Sequence, residues 1–345
     1  MEAALTEEGH LLVSGFGLFL GLHSERLQLS RKGQTLLEVP LVKLSHVLVL
    51  SGGVSLSSNA IRECCLRGIP ITLLDSRGDP YAALISPDLT GTVRTRREQL
   101  LAYGDERGVH LARCFARGKL ANQVNLLRYS AKYRRARDPG LFERVRDRWL
   151  GIEEIGRELE RLHGATVDEV RAEILSVEGR AAQEYWEGVR ELLVEEHGWP
   201  GRETRGADDL INSLLNYGYG VLASKVQHAL VLAGLDPYAG FLHADRSGKH
   251  SLVYDLIEEF RQAVVDRAVL ALLNRRTELG MEGGKLNDST RRLAAEKVLE
   301  RLEQGEERYE GKKRSLRAIL HSQARHIATY VRGDGKPYSP FVAGW

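Results

Sequence analysis

Cysteine is scarce in this chain, with three residues in 345, two of them adjacent. Cys64, Cys65 and Cys114 show no C-x-x-C spacing, which argues against a disulfide framework or a zinc site. A reducing, cytoplasmic setting is the expectation. Long apolar runs are missing too. Leu11 to Leu22 is too short to span a bilayer and is interrupted by Gly15, Gly17 and Gly21. It follows acidic rather than basic residues, so it does not read as a signal peptide, and no membrane association is expected. Internal repeats and low-complexity segments are also lacking.

Net charge is nearly absent, at +2 overall, but that value conceals a polarised chain. Between residues 94 and 137, 12 lysines and arginines stand against 3 acids, a local charge of +9. Residues 138 to 203 run the other way. Such a basic segment could follow phosphates. With 43% hydrophobic and 28% charged residues the composition is that of a globular protein, and the length suits two ordinary domains.

The two parts differ in period. Up to about residue 92 short runs alternate with period two: 11–13, 18–22, 26–30, 35–39, 47–50, 69–74 and 81–85. Turns at Arg31-Lys32-Gly33-Gln34 and Ser76-Arg77-Gly78-Asp79-Pro80 separate them. One helix interrupts this half, from Ser57 or Ser58 as N-cap to Gly68, with Ile61, Cys65 and Leu66 expected against the sheet. Beyond Arg94 helical patterns follow one another. Residues 202–207 read as a linker, Asp208 or Asp209 as a helix start, and Gly280 to Gly284 as a loop. The expectation is an α+β, multidomain chain: a small N-terminal β-domain with one helix (1–92), then a larger all-α domain (93–345).

One carboxylate sits where it should not. From about Thr166 to Leu193 the residues Val170, Ile174, Val177, Ala181, Tyr185, Val189 and Leu192 define one apolar face, opened by a Thr166-x-x-Glu169 capping box. At about 100° per residue Glu178 lands within that face. An unpaired buried carboxylate is costly. A metal ion, an arginine or a shared proton could compensate it.

A second acidic group lies downstream of His243. In the segment Ser251 to Asp266, Val253, Ile257, Phe260 and Val264 form the apolar stripe, and Asp255, Glu258, Glu259 and Asp266 lie opposite. The plain interpretation is an amphipathic helix with a solvated acidic face. Combined with Glu178, one imidazole and two carboxylates would make a mostly oxygen site suited to Mn²⁺ or Mg²⁺. Arg246, Lys249 and Arg261 around it could hold phosphates.

The ordered blocks Val177-Glu178-Gly-Arg-Ala-Ala with Tyr185-Trp186, Asp208-Asp209-Leu-Ile-Asn212 with Asn216-Tyr217-Gly, Gly-Leu-Asp-Pro-Tyr-Ala-Gly-Phe-Leu-His243 and Tyr254-Asp255-Leu-Ile-Glu258-Glu259-Phe-Arg261 resemble the CRISPR-associated spacer-acquisition integrases, the Cas-one family. The closing Tyr338-Ser-Pro-Phe341 resembles that family's tail. The resemblance implies a metal-dependent DNA endonuclease and integrase with Glu178, His243 and Glu258 as catalytic ligands of Mn²⁺ or Mg²⁺, and Asp255 as the rival for the third place. It implies DNA contacts at Tyr254, Arg261, Arg246, Lys249 and Tyr217, with the basic stretch Lys312, Lys313, Arg314, Arg317 and Arg325 as a further candidate. It also implies double-stranded DNA as partner, a homodimer formed through the β-domain, and a heterohexamer with the small ferredoxin-like companion, Cas-two. A Cas-four-like nuclease is a possible helper. The alternatives are a general nuclease for branched or single-stranded DNA, and a non-catalytic DNA-binding scaffold in which Glu178 pairs with an arginine such as Arg180.

Overall fold

The computed structural model describes residues 2–86, 93–132, 134–193, 199, 201–204, 207–275 and 277–344. Residue 92, at the expected domain boundary, and residues 205 and 206 of the expected linker lie outside them. Two compact units emerge. The first comprises Met1–Leu89, Gly206–Ser224 and Glu278–Leu299, and the second Thr90–Arg205, Lys225–Thr277 and Glu300–Trp345. Around the expected split at 92/93, two later returns of the chain thus complete the first unit.

The first unit holds two larger sheets. Strands β1 (Ala3–Leu5), β2 (His10–Val13), β6 (His46–Val49), β8 (Ile71–Leu74) and β9 (Pro80–Leu84) form one, in the order β1-β2-β6-β8-β9. Strands β3 (Leu18–His23), β4 (Arg26–Arg31), β5 (Gln34–Pro40) and β7 (Val54–Leu56) form the other, in the order β5-β4-β3-β7. Leu11, Val13, Val47, Val49 and Ile71 share one core with Leu18, Leu20, Leu27 and Leu29. Strands β1 and β7 were not expected, because three residues are too few to show a period of two.

Helix α1 (Ser58–Leu66) begins where expected, with the Ser57 hydroxyl accepting from Ala60 N. Its buried face is nevertheless shifted. Ala60 and Cys64 are fully buried, Ile61 partly, and Leu66 is 69% exposed. The small residues, not the largest ones, face the sheet. Gly78 (φ +89°) lies so close to helix α6 (Leu210–Leu232) that a Cβ would come within 2.6 Å of Tyr217 Cα, and one on Gly220 would meet Gly78 O at 1.6 Å. Only glycine allows this approach.

The second unit is mainly helical: α2 (Val93–Ala102), α3 (Glu106–Ala131), α4 (Pro139–Gly156), α5 (Val167–Leu192), α7 (Ser251–Ile257), α8 (Arg267–Asn274) and α10 (Leu316–Val331). It is not purely so. Strands β12 (Glu306–Tyr309) and β13 (Lys312–Ser315) pair antiparallel, and in the first unit β10 (Met281–Glu282) and β11 (Lys285–Leu286) turn through Gly283 and Gly284 ahead of α9 (Asp288–Gln304). These hairpins carry no apolar alternation. Charged residues occupy facing positions instead, with Glu307 opposite Arg314 and Glu282 opposite Lys285, but also Arg308 opposite Lys313.

Two local expectations are revised. Thr166 is the N-cap of α5 but makes no side-chain cap; Glu169 instead accepts from Ala165 N at 2.9 Å. The segment 251–274 is not one regular helix. It tightens after Ile257 and passes through a π-turn at Arg261–Asp266 before α8, a departure often found at functional sites.

Candidate functional site

Every residue of the α5 stripe named from the sequence is buried, and Glu178 is buried with them at 8% exposure. What meets it is Lys119 of α3. Its ammonium pairs with Glu178 Oε1 and also lies 2.9 Å from Glu258 Oε2. The proposed Arg180 pairing is not seen: Arg180 binds Glu158 instead, at 2.9 Å through Nη1. Glu178 Oε2 is buried and has no hydrogen-bond partner among the described residues.

The acidic face downstream is not solvated. Asp255, Glu258, Glu259 and Asp266 are all at most 1% exposed, and each is compensated differently. Asp255 Oδ2 accepts from Phe241 N (2.6 Å) and Leu242 N (3.1 Å), while Oδ1 accepts from His243 N (2.9 Å) and lies 2.8 Å from His243 Nδ1. Both oxygens are thus committed to the loop that presents the imidazole. Gly240 makes the approach possible, since a Cβ there would come within 2.6 Å of Ser251 Cβ and 3.0 Å of Asp255 Oδ2. From α5, Arg171 donates to the carbonyls of Phe241 and Leu242, both at 3.2 Å.

With Nδ1 held by Asp255, His243 turns Nε2 toward Glu258, 4.0 Å from Oε1. Arg261 Nη2 lies 3.2 Å from the same oxygen. Burial alone would push the Glu258 carboxyl up, but Arg261, Lys119 and His243 hold it well below the usual range. His243 shows the converse: burial works against its charged form, and the bond to Asp255 with the charges of Asp255, Glu258 and Glu178 raises it above an ordinary histidine. Tyr254 borders the imidazole, with ring centroids 6.1 Å apart, and Lys249 Nζ lies 5.4 Å from the Tyr254 ring centre. Arg246 is exposed on the preceding turn. Tyr217 is fully buried in the first unit against the Gly78 turn and offers no surface to DNA.

Glu178, His243 and Glu258, though far apart in sequence, therefore surround one place. Among the described residues no three His, Cys, Asp or Glu side chains are drawn together tightly enough to coordinate an ion as they stand. The donor set still fits a hard divalent cation. Two buried carboxylates already share one positive group, a carboxylate oxygen is left without a partner, and an imidazole nitrogen lies 4.0 Å from the Glu258 carboxylate. Asp255 is the residue that orients the imidazole, in the way carboxylates support ligating histidines.

Two features escaped sequence reasoning. Lys119 was counted with a phosphate-following segment, yet it shares a stripe of α3 with the buried Phe115, Asn122 and Leu126. It is a misplaced charge of the opposite sign to Glu178, and the same argument would have found it. The second is a clamp on the C-terminal tail. Glu259 accepts from Tyr338 Oη (2.6 Å), Gln323 Nε2 (2.7 Å) and Phe341 N (2.9 Å), while Asn122 donates to the carbonyls of Glu259 and Phe341. Side chains from three distant stretches form it, so no local pattern announces it.

Comparison with known proteins adds the following. The family model described as CRISPR associated protein Cas1, the Cas-one family, matches residues 11–304. The "CRISPR-associated endonuclease Cas1 1" of Archaeoglobus fulgidus is 38% identical over 347 aligned positions, covering 97% of this chain and 99% of the relative. The "CRISPR-associated endonuclease Cas1" of Korarchaeum cryptofilum is 32% identical, covering 98% of each. The fold is similar to that of a casposase bound to integration product (TM-score 0.80, 22% identity, 96% of this chain and 92% of that one). It is also similar to a Cas1 protein from Thermotoga maritima (TM-score 0.75, 20% identity, 95% and 97%).

Proposed function

The chain belongs to the Cas1 family, and from that premise we propose that it is a metal-dependent DNA endonuclease and integrase of CRISPR adaptation, inserting short duplex DNA at the ends of repeats. The observation that carries this reading is that Glu178 and Glu258 share the Lys119 ammonium while His243 Nε2 lies 4.0 Å from Glu258 Oε1. These three would hold Mn²⁺ or Mg²⁺, which when bound supplies Lewis-acid stabilisation of charge on a phosphodiester.

The chain's own groups account for the remaining work. Asp255 keeps the His243 Nδ1 proton and so leaves Nε2 as the donor atom. Arg261 faces Glu258 and stands ready for a phosphate oxygen, and Lys249 and Tyr254 edge the same opening, with Arg246 on the turn beside them. In the reaction, a donor 3′ hydroxyl oxygen loses its proton and forms a bond to phosphorus at the repeat edge as the bond to the departing 3′ oxygen breaks, and that oxygen takes up a proton to become a new 3′ hydroxyl. One phosphodiester replaces another, and no external energy source is required. Exposed arginines such as Arg96 and Arg97 on α2 suit sequence-independent backbone contact.

Insertion on both strands requires two such centres. We infer a homodimer formed through the β-domain and bridged by the ferredoxin-like companion; a structural neighbour is a "Cas6-RT-Cas1--Cas2 complex" (TM-score 0.76, 19% identity, 99% of this chain and 37% of that one). A Cas-four-like nuclease would act upstream of this step. No helix among the described residues is long and apolar enough to cross a membrane, and the setting proposed is cytoplasmic.

The test is a supercoiled repeat-bearing plasmid incubated with labelled duplex donor, Mn²⁺ and the companion. Glu178→Ala and His243→Ala should each lower label transfer by about 10³-fold, a loss of about 4 kcal/mol of transition-state stabilisation, while DNA retention in a gel-shift assay falls far less, by no more than about tenfold. Cleavage without joining of the donor would assign a general nuclease instead. Joining that survives both substitutions would show that Glu178 and His243 do not hold the catalytic ion, and absence of both cleavage and joining by the wild type would leave only a DNA-binding scaffold.

A further inference from the structure

Lys119 has no task in the reaction as described, yet it holds the centre of the site. Its side chain is 11% exposed, and its ammonium stands between Glu178 Oε1 and Glu258 Oε2, the two carboxylates assigned to the ion. An ammonium and a divalent cation cannot share those oxygens, because like charges a few ångströms apart in a site shielded from water repel strongly. If the ion enters, the ammonium must leave. The flexible four-carbon stem of lysine permits that without moving α3, whose stripe of Phe115, Asn122 and Leu126 is locked into the core.

The neighbouring acids cannot receive the displaced charge. Asp255 is engaged by three backbone amides and the His243 ring, and Glu259 by Tyr338, Gln323 and Phe341. The next anion to reach the opening is a DNA phosphate. We propose that Lys119 is an exchangeable counter-ion: it neutralises the Glu178–Glu258 pair in the free protein and passes to a phosphate oxygen of DNA when a divalent ion takes its place. Metal and DNA then bind cooperatively, each strengthening the other by the same factor. The inference rests on the integrase reading and assigns to it the order in which the centre assembles.

The experiment follows free Mn²⁺ by electron paramagnetic resonance during titration of the full-length protein, with and without a short duplex ending in a 3′ hydroxyl. Glu178→Gln serves as the blank for ions held by DNA alone. Without DNA, Mn²⁺ affinity should fall in the order Lys119→Gln, wild type, Lys119→Arg, because the neutral amide competes least and the guanidinium fork most. Steps of at least about fivefold are expected, and the duplex should tighten wild-type Mn²⁺ binding by about fivefold or more and the glutamine variant by markedly less. Should Lys119→Gln fail to fold, as circular dichroism would reveal, the arginine variant carries the test through its weaker Mn²⁺ binding. Equal affinities across the series, or the same DNA enhancement in all, would overturn the exchange while leaving the integrase reading intact. Absence of Mn²⁺ binding above the blank in every protein would overturn both.

Discussion

Glu258 and Glu259 are neighbours in sequence, equally buried, and treated in opposite ways. Glu258 faces Lys119, Arg261 and His243, so its burial is offset by counter-charge. Glu259 faces the other side and is met by neutral donors, the Tyr338 hydroxyl, the Gln323 amide and Phe341 N. The consequence shows in their proton affinities. Cations pull the Glu258 carboxyl down despite burial, whereas burial dominates at Glu259 and pushes it up to about 7. A counter-charge can be exchanged for another charge, but a ring of dipoles aimed at one carboxylate can only be kept or lost. Charge compensation thus marks the site proposed to do the chemistry, and dipole compensation the part that fixes shape.

Glu259→Ala tests that division most severely. It would leave the Tyr338 hydroxyl and Phe341 N buried without an acceptor, at about 1–3 kcal/mol each, for a total of about 4 kcal/mol, while the Gln323 amide keeps Tyr338 Oη (3.0 Å) and the Ser339 carbonyl (3.1 Å). Native domains are stable by about 5–15 kcal/mol, so the midpoint in urea should fall steeply. Mn²⁺ affinity of the molecules that remain folded should change less than about twofold. A large loss of affinity would mean that the tail clamp and the centre are one device.

Asp255→Asn probes the boundary between the two modes, because Asp255 is a carboxylate met mostly by backbone amides yet serving the charged centre. The substituted amide would set its NH₂ against donors from the 241–243 loop and release the His243 ring from its tautomer. Loss of such a supporting carboxylate costs about 10–100-fold in metal affinity or rate. Joining and Mn²⁺ affinity should fall together by that amount, with a smaller change in stability than at Glu259. Stability lost with affinity retained would place Asp255 with the clamp.

The sequence disclosed the two parts of this comparison unequally. The α5 stripe identified Glu178 as a buried charge in need of a partner, since helical periodicity is a local property and the violation is visible within four turns. The pairing with Lys119 was hidden by charge counting, which sorts residues by segment rather than by face. For 251–266 the stripe taken alone suggests a solvated acidic side, and only the combination with Glu178 points inward; the surface opposite an apolar face is itself buried when tail and helices close over it. The β-domain was legible wherever strands exceed three residues. The charged hairpin β12–β13 was not, and neither was the α1 face, where Ala60 and Cys64 rather than the bulkier Ile61 and Leu66 make the closest approach.

The mildest substitution removes a single hydroxyl, which also accepts from Gln323 Nε2 at 3.0 Å, an amide that keeps Glu259 Oε2 and the Ser339 carbonyl. Tyr338→Phe removes the hydroxyl that donates to Glu259 Oε1 at 2.6 Å and leaves Gln323 Nε2 and Phe341 N on Oε2. The ring remains, packed beside Phe115 with centroids 5.8 Å apart, so no cavity larger than one oxygen is created. A hydrogen bond to a charged acceptor is worth about 1.5–3 kcal/mol. The measured loss should lie at the low end, about 1.5 kcal/mol, because the carboxyl whose proton affinity burial has raised becomes neutral at modest cost once its donor is gone. That relief is available to Glu259 because its partners carry no charge. Were Tyr338→Phe to cost as much in stability as Glu259→Ala, the carboxylate would be held mainly by this one bond, and the contrast between dipoles at Glu259 and counter-ions at Glu258 would lose its basis.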